Sequence, residues 1–382
     1  MRKQRRTAFG LVGIALALSL LFIAVNRKTS AQQQGEQLAE QRYKNIQVLK
    51  GMPESQFIPA MQFIASSLGV NCAHCHVNTN GKWEFEKDDK QAKQTARRMI
   101  QMVFDINKGN RDVFGGASVT CFTCHRGSTD PVNIPKLPIP PAAEGRAAGA
   151  GGGAKPAADV LPTAAQVVDK YLQAIGGRAA AERLKTRVMK GSIIGTDGER
   201  IPFEVHLQSP GKVLTIITSQ QGAVTQALNG ATGWMKTAKE QRELRPNEIS
   251  RFRSVAQTFE AVQVKEAAPS MKVTGREKVG DREAYVVVYP VDERRTQRLY
   301  FDTQTGLLLR VITYTNTVLG RIPSQTDFED YRDVDGVKLP FTLRQSSVDS
   351  RSDTTRKFDE MKANIPENDA QFNPPPAPPA PQ

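Results

Sequence analysis

The spacing of apolar residues changes character along the chain. Residues 8–25 form an unbroken apolar run behind a basic start. Across residues 32–128 apolar positions recur three and four apart, the spacing of helices that bury one face. Met61, Ile64, Ala65 and Leu68 share one side of a short helix that Pro59 opens and Gly69 ends. A longer helix runs through Asn107, with Asp88 or Asp89 as its cap and Ala92, Ala96, Met99, Val103 and Ile106 as its buried stripe. Residues 129–162 are Pro-rich, then Ala/Gly-rich, and read as a linker that cannot build a core. Residues 164–184 return to helical spacing, with Val167, Val168, Tyr171, Leu172 and Ile175 on one face and Gly176-Gly177 as an interruption.

Beyond that helix the period shortens to two. Alternating or β-branched runs at 203–207, 213–218, 284–289, 298–301, 307–315 and 342–347 are separated by the turn pairs Asn229-Gly230, Gly280-Asp281, Thr305-Gly306 and Asp335-Gly336. The fold class expected is a mix of α and α/β. A helical domain at 32–128 is followed by an α+β domain at 163–372, whose curved antiparallel sheet packs on a helix. The tail at 373–382 is nearly all Pro and Ala and reads as disordered.

Charge changes the picture only when it is divided along the chain. The formal net charge is +13, but six of the basic residues, and no acidic one, fall within residues 1–31. Residues 32–130 hold 12 Lys and Arg against 10 Asp and Glu, so nucleic-acid binding has little electrostatic support. The basic start, apolar run and small residues Thr29 and Ala31 read as an export signal cleaved after Ala31. The run is also about long enough to cross a bilayer at roughly 1.5 Å per residue, which makes it an uncleaved inner-membrane anchor instead. Either way the remainder lies in the periplasm.

The four cysteines carry the chemistry. CAHCH at 72–76 and CFTCH at 121–125 both fit C-x-x-C-H, the pattern for attaching a c-type haem. Two thiols three positions apart reach the two vinyl groups on one porphyrin edge, and the adjacent His falls beneath the iron. The expected cofactors are two covalent haem c groups. Cys72, Cys75, Cys121 and Cys124 form the thioethers, and His76 and His125 are the proximal ligands. Disulfides, a four-cysteine zinc site and redox-active CxxC pairs are the competing readings, and none of them requires a His after each second Cys. Met61, eleven residues before Cys72, is placed to reach the first iron, and Met99 or Met102 the second.

The stretches MQFIASSLGVNCAHCH, TARRMIQMVFDIN and VTCFTCHRG together resemble the cytochrome c subunit of photosynthetic reaction centres, over residues 45–128. The family carries four haems in two tandem pairs, each segment a helix, a turn and C-x-x-C-H, with the helix Met as sixth ligand in most of them. The resemblance implies Met61 as sixth ligand of the first haem and Met99 of the second. This chain has one such pair. It also has Val113 where the family has a His that reaches another haem of the set.

The remaining candidates rank lower. His74 reads as a spacer, His206 as a surface residue on the face of its strand opposite Val205, and Trp83 as a residue that packs on a haem edge. The α+β domain shows no catalytic constellation. Its AQVVDKYLQAIGG, GLLLRV and DVDGVKLPF segments resemble the half-barrel fold of lipoprotein carriers, which implies a lipid or lipoprotein ligand, or a docking module. Electron transfer with redox protein partners or a membrane electron-transfer complex is the leading function. The alternatives are a dihaem peroxidase-like enzyme with one open iron, for which Glu84 and Glu86 are the acids at hand, and a lipid- or partner-binding scaffold.

Overall fold

In the computed structural model the described residues are 37–110, 118–131, 161–245, 248, 249, 252 and 261–376. Residues 1–31, expected to direct export, Val113, most of the expected linker (132–160) and the end of the tail (377–382) lie outside them.

The N-terminal segment is helical, as its spacing requires. Short helix α1 (Ala39–Arg42) leads to α2 (Glu54–Leu68), and α3 (Gln91–Asn107) and α4 (Cys121–His125) follow. A small antiparallel pair, β1 (Val77–Thr79) and β2 (Lys82–Glu84), lies between α2 and α3. Helix α2 starts at Glu54 rather than at Pro59, which sits inside it. The early turns were hidden because they bury Glu54 and Gln56, polar residues that carry no apolar period. Tyr43 donates its hydroxyl proton to the Glu54 carboxylate at 3.1 Å, and Arg245 pairs with it at 3.6 Å, so the burial is compensated.

Helix α3 is capped by Lys90 without a side-chain bond, not by Asp88 or Asp89. Asp88 instead accepts from Asn45, Lys93 and Arg97, and those three donors compete successfully with a cap. The buried line on α3 is Lys93, Ile100 and Val103, rotated from the expected stripe, and Met99 and Met102 are exposed.

The C-terminal domain opens with α5 (Ala164–Ala174) and α6 (Arg178–Arg183), two helices where one interrupted helix was expected. Gly176 and Gly177 adopt φ of 117° and 93°, which an α-helix cannot accommodate. Strands β3 (Thr186–Ile194), β4 (Arg200–Gln208), β5 (Lys212–Ser219), β6 (Gly222–Asn229), β7 (Thr232–Lys236) and β8 (Gln241–Glu243) form one run of hairpins. After α7 (Ala261–Ala267), a second run comprises β9 (Lys272–Val279), β10 (Arg282–Pro290), β11 (Arg295–Asp302), β12 (Leu308–Thr317), β13 (Gly320–Val334), β14 (Val337–Ser347) and β15 (Thr354–Ala363). Antiparallel pairing of β15 with β3 joins the two runs into one 13-stranded sheet.

One face of this sheet holds the main core. Val167, Val168, Tyr171, Leu172 and Ile175 of α5 and its C-cap pack against strand residues including Phe203, Phe301, Phe328 and Phe358. Each such side chain contributes about 1.5–3 kcal/mol when fully buried. The other face is covered in part by the chain's own end. Phe372 is buried with Leu214, Ala227 and Trp234, and the Trp234 indole donates to its carbonyl at 2.9 Å.

That cover corrects two expectations. His206 is not a surface residue: its side chain is 14 % exposed, held between Glu204 at 3.0 Å and Glu367 at 2.9 Å. The start of the tail is also ordered, because Asn373 accepts from Asn229 and the Pro375 carbonyl from Gln241.

The helical segment and the sheet share a second core. Leu319 and Ile322, at the β12–β13 hairpin, are buried with Ala60, Phe63, Ile64 and Ile100. The β14–β15 turn adds polar contacts, with the Ser66 hydroxyl donating to the Val348 carbonyl and the Gln62 amide to Ser352 at 3.4 Å.

Candidate haem-binding segments

The first C-x-x-C-H segment follows directly from the end of α2. Gly69 adopts φ 66°, the left-handed value that stops the helix, and Val70 N–H closes the turn on Ala65 O at 3.0 Å. Asn71 then accepts from Ala73 N–H through its side chain at 3.0 Å and starts a 3-10 turn, Cys72–His74. His76 N–H bonds back to Cys72 O at 2.9 Å, so both thiols and the imidazole project from one tight coil. Beyond the β1–β2 hairpin the chain returns to the His76 ring. The Phe85 carbonyl lies 3.2 Å from Nδ1, and the Phe85 ring meets the imidazole edge-on at 5.2 Å. Trp83, expected against a haem edge, stacks on Phe85 at 5.2 Å.

The second segment is built from α3. Asn107 clamps Val119 through two bonds, its amide donating at 2.8 Å and its carbonyl oxygen accepting at 2.9 Å. Thr120 caps α4, receiving help from Thr123, whose hydroxyl accepts the Thr120 N–H at 3.0 Å. Arg126 and Gly127 turn the chain with φ of 50° and 88°, which brings Ser128 O to 3.0 Å from His125 Nδ1. Gly127 N–H reaches across to Ser67 O at 2.8 Å and ties this turn to α2.

The two imidazoles are held alike. Each has its Nδ1 against a backbone carbonyl, which fixes the tautomer and leaves Nε2 as the nitrogen for a metal. Burial, and then the charge of Lys93, push the His76 pKa down despite the Phe85 hydrogen bond, favouring the neutral form that ligation needs. These side chains fit covalent haem. The competing readings fit less well. All four cysteines are free, and among the described residues no three His, Cys, Asp or Glu side chains converge as a zinc site requires. Burial pushes the Cys75 and Cys121 thiols up, opposite to what a redox-active CxxC pair needs.

The methionines are distributed unevenly. Met61 lies half-buried on α2 beside the second core. Met99 and Met102, one turn apart on α3, are 39 % and 46 % exposed. His74 lies within the 3-10 turn. Glu84 pairs with Lys87 at 3.0 Å.

Sequence reading missed Lys93 and Arg351. Lys93 is 9 % exposed, and its ammonium donates to Phe85 O at 2.8 Å and Lys87 O at 2.7 Å and pairs with Asp88 at 3.0 Å. Lys90 donates to Ala73 O, between the two thiols. Arg351, from the β14–β15 turn, bonds Asp349 at 2.8 Å and stands within hydrogen-bonding reach of Cys72. A lysine on an amphipathic helix and an arginine far along the chain give no sequence signal of this placement.

Comparison with known proteins matches residues 22–201 to the family described as photosynthetic reaction centre cytochrome C subunit. The reaction center cytochrome c subunit of Roseobacter denitrificans is 37 % identical over 110 residues, covering 26 % of this chain and 28 % of that one. Cytochrome c-554 of Chloroflexus aurantiacus is 39 % identical over 85 residues, 21 % of this chain and 20 % of that one. The chain thus spans between 20 % and 28 % of the length of these relatives. Among solved structures, a putative outer membrane lipoprotein-sorting protein domain from Vibrio parahaemolyticus aligns with TM-score 0.41 and 13 % identity. That alignment covers 55 % of this chain and 95 % of that one.

Proposed function

We propose, with residues 22–201 matched to the reaction centre cytochrome C subunit family, that this chain is an exported dihaem c-type cytochrome transferring electrons between periplasmic or membrane redox partners. The observation that carries the reading is the repeated arrangement of two C-x-x-C-H segments, each with its His Nδ1 held on a backbone carbonyl. Bound haem supplies a one-electron iron couple at each segment. Cys72 and Cys75 tether the first group and Cys121 and Cys124 the second, while His76 and His125 present Nε2 to the irons. Met61 and Met99 are the sixth ligands, with Met102 the alternative to Met99. A thioether at the sixth position closes the iron to substrate and raises its potential.

The sheet domain docks this segment near its donor or acceptor. Its hairpin at Leu319 and its turn at Val348 hold α2, the helix that presents Met61. Residues 1–31 deliver the chain to the periplasm, either cleaved after Ala31 or retained as an inner-membrane anchor through 8–25. No helix among the described residues is long and apolar enough to cross a membrane.

The test is the haem content and ferrous visible spectrum of the purified holoprotein, with and without carbon monoxide. Two haems per chain and bands unmoved by carbon monoxide are expected. A shift at one haem would expose an open iron and replace electron transfer with the dihaem peroxidase-like reading.

A further inference from the structure

The two segments differ in what their histidines lean on. Phe85 O accepts from His76 Nδ1 at 3.2 Å and at the same time from the Lys93 ammonium at 2.8 Å. Ser128 O, the partner of His125, receives no side-chain ammonium or guanidinium among the described residues. From this asymmetry we infer that Lys93 is a positioning residue that sets the potential of the first iron above that of the second. The inference rests on the dihaem reading.

Two effects act in the same direction. A carbonyl already polarised by an ammonium draws less on the His76 N–H, so the imidazole gives less electron density to its metal, and the ferric state is less favoured. The charge itself is nearly buried, so solvent screens it weakly, and a nearby positive charge opposes oxidation of the iron. Asp88 offsets only part of it. Its carboxylate is shared between Lys93 at 3.0 Å and Arg97 at 2.9 Å, leaving two cations against one anion. Lys90 on Ala73 O adds to the positive side, and Arg351 is balanced by Asp349. At the second segment Arg126 and Asp130 are both exposed, and water screens them.

The experiment is a potentiometric titration of the holoprotein, read in the visible bands, on variants first shown to bind two haems. Wild type should titrate in two steps. Lys93→Gln should lower the upper step and leave the lower one in place, Lys93→Arg should restore it, and Asp88→Asn should raise it. Loop damage alone would move Lys93→Gln and Asp88→Asn the same way, so their opposite signs separate electrostatics from structure. If Lys93→Gln does not fold, Asp88→Asn and Lys93→Arg still decide. An upper step that ignores these changes, or a lower step that follows them, overturns the inference. A wild-type haem count other than two removes the dihaem reading itself.

Discussion

A Cβ placed on Gly69 would lie 2.2 Å from the carbonyl oxygen of Gly127, so the end of α2 and the turn after the second C-x-x-C-H segment meet backbone to backbone. Gly69 also needs its φ of +66°, which costs a residue with a side chain about 1 kcal/mol. Gly69→Ala should therefore lose stability through both the strained φ and the clash. Gly51→Ala, at φ +79° with nothing within 4 Å, suffers only the first. Thermal unfolding of the holoprotein, followed in the Soret band, should show the larger drop for Gly69→Ala. Equal drops would mean the two turns do not touch.

Leu319 is 1 % exposed, and its side chain sits with Ile322 in a core whose other buried residues come from the helical segment. Leu319→Ala should cost about 2–5 kcal/mol, the usual range for a leucine removed from a packed site. Denaturant unfolding read at the haem and at the β-sheet circular dichroism should coincide in wild type. In the variant the haem signal should be lost first. Coincident curves with an unshifted midpoint would show that the hairpin does not support the cytochrome segment.

What could be read from the residues follows from how local the cause is. The C-x-x-C-H segments were legible because covalent attachment fixes their spacing, and Gly69 because a helix end needs a left-handed residue. The strand runs at 284–289 and 298–301 fall inside β10 and β11 because they are short runs of β-branched and aromatic residues. Strand β13 was missed, since its 15 residues are largely polar and offer no apolar alternation to read. The buried Glu54 and Lys93 and the largely enclosed His206 were invisible for a related reason. Each is tolerated inside only because specific partners arrive from distant positions or from a folded loop.

Glu248 predicts how the molecule responds to acid. Burial pushes its pKa up, but hydrogen bonds from Arg242 and Arg245 outweigh this and hold it down to about 2, from an ordinary 4.5. A depressed carboxylate contributes stability that is complete above the unfolded pKa and is lost as pH falls through the folded one. Glu248→Gln should therefore flatten the decline in denaturant stability between about pH 4.5 and 2. Because Arg245 also pairs with Glu54 of α2, Arg245→Gln should flatten it too and in addition lower the stability at neutral pH. An unchanged acid limb in both variants would show that this cluster does not form in solution.

Tyr171 governs the alkaline side. It is buried on α5 with its ring 5.4 Å from that of Phe301, and burial raises its pKa from 10 to about 12 against the opposing charge of Arg187. The fold thus retains the phenol proton more tightly than the unfolded chain does. A raised pKa gives stability that is fully present below pH 10 and is lost as pH rises toward 12. A rise of that size corresponds to about 3 kcal/mol. Tyr331, whose hydroxyl donates to Leu308 O at 2.8 Å, Tyr300 and Tyr43 are raised by burial as well, so among the described residues the alkaline limb has four contributors. Tyr171→Phe removes one of them. Its stability should fall less steeply than wild type between about pH 10 and 12, and phenolate absorbance should show one fewer late-titrating tyrosine. If the wild-type tyrosines all ionise near 10 without unfolding, α5 does not cover this face of the sheet as described.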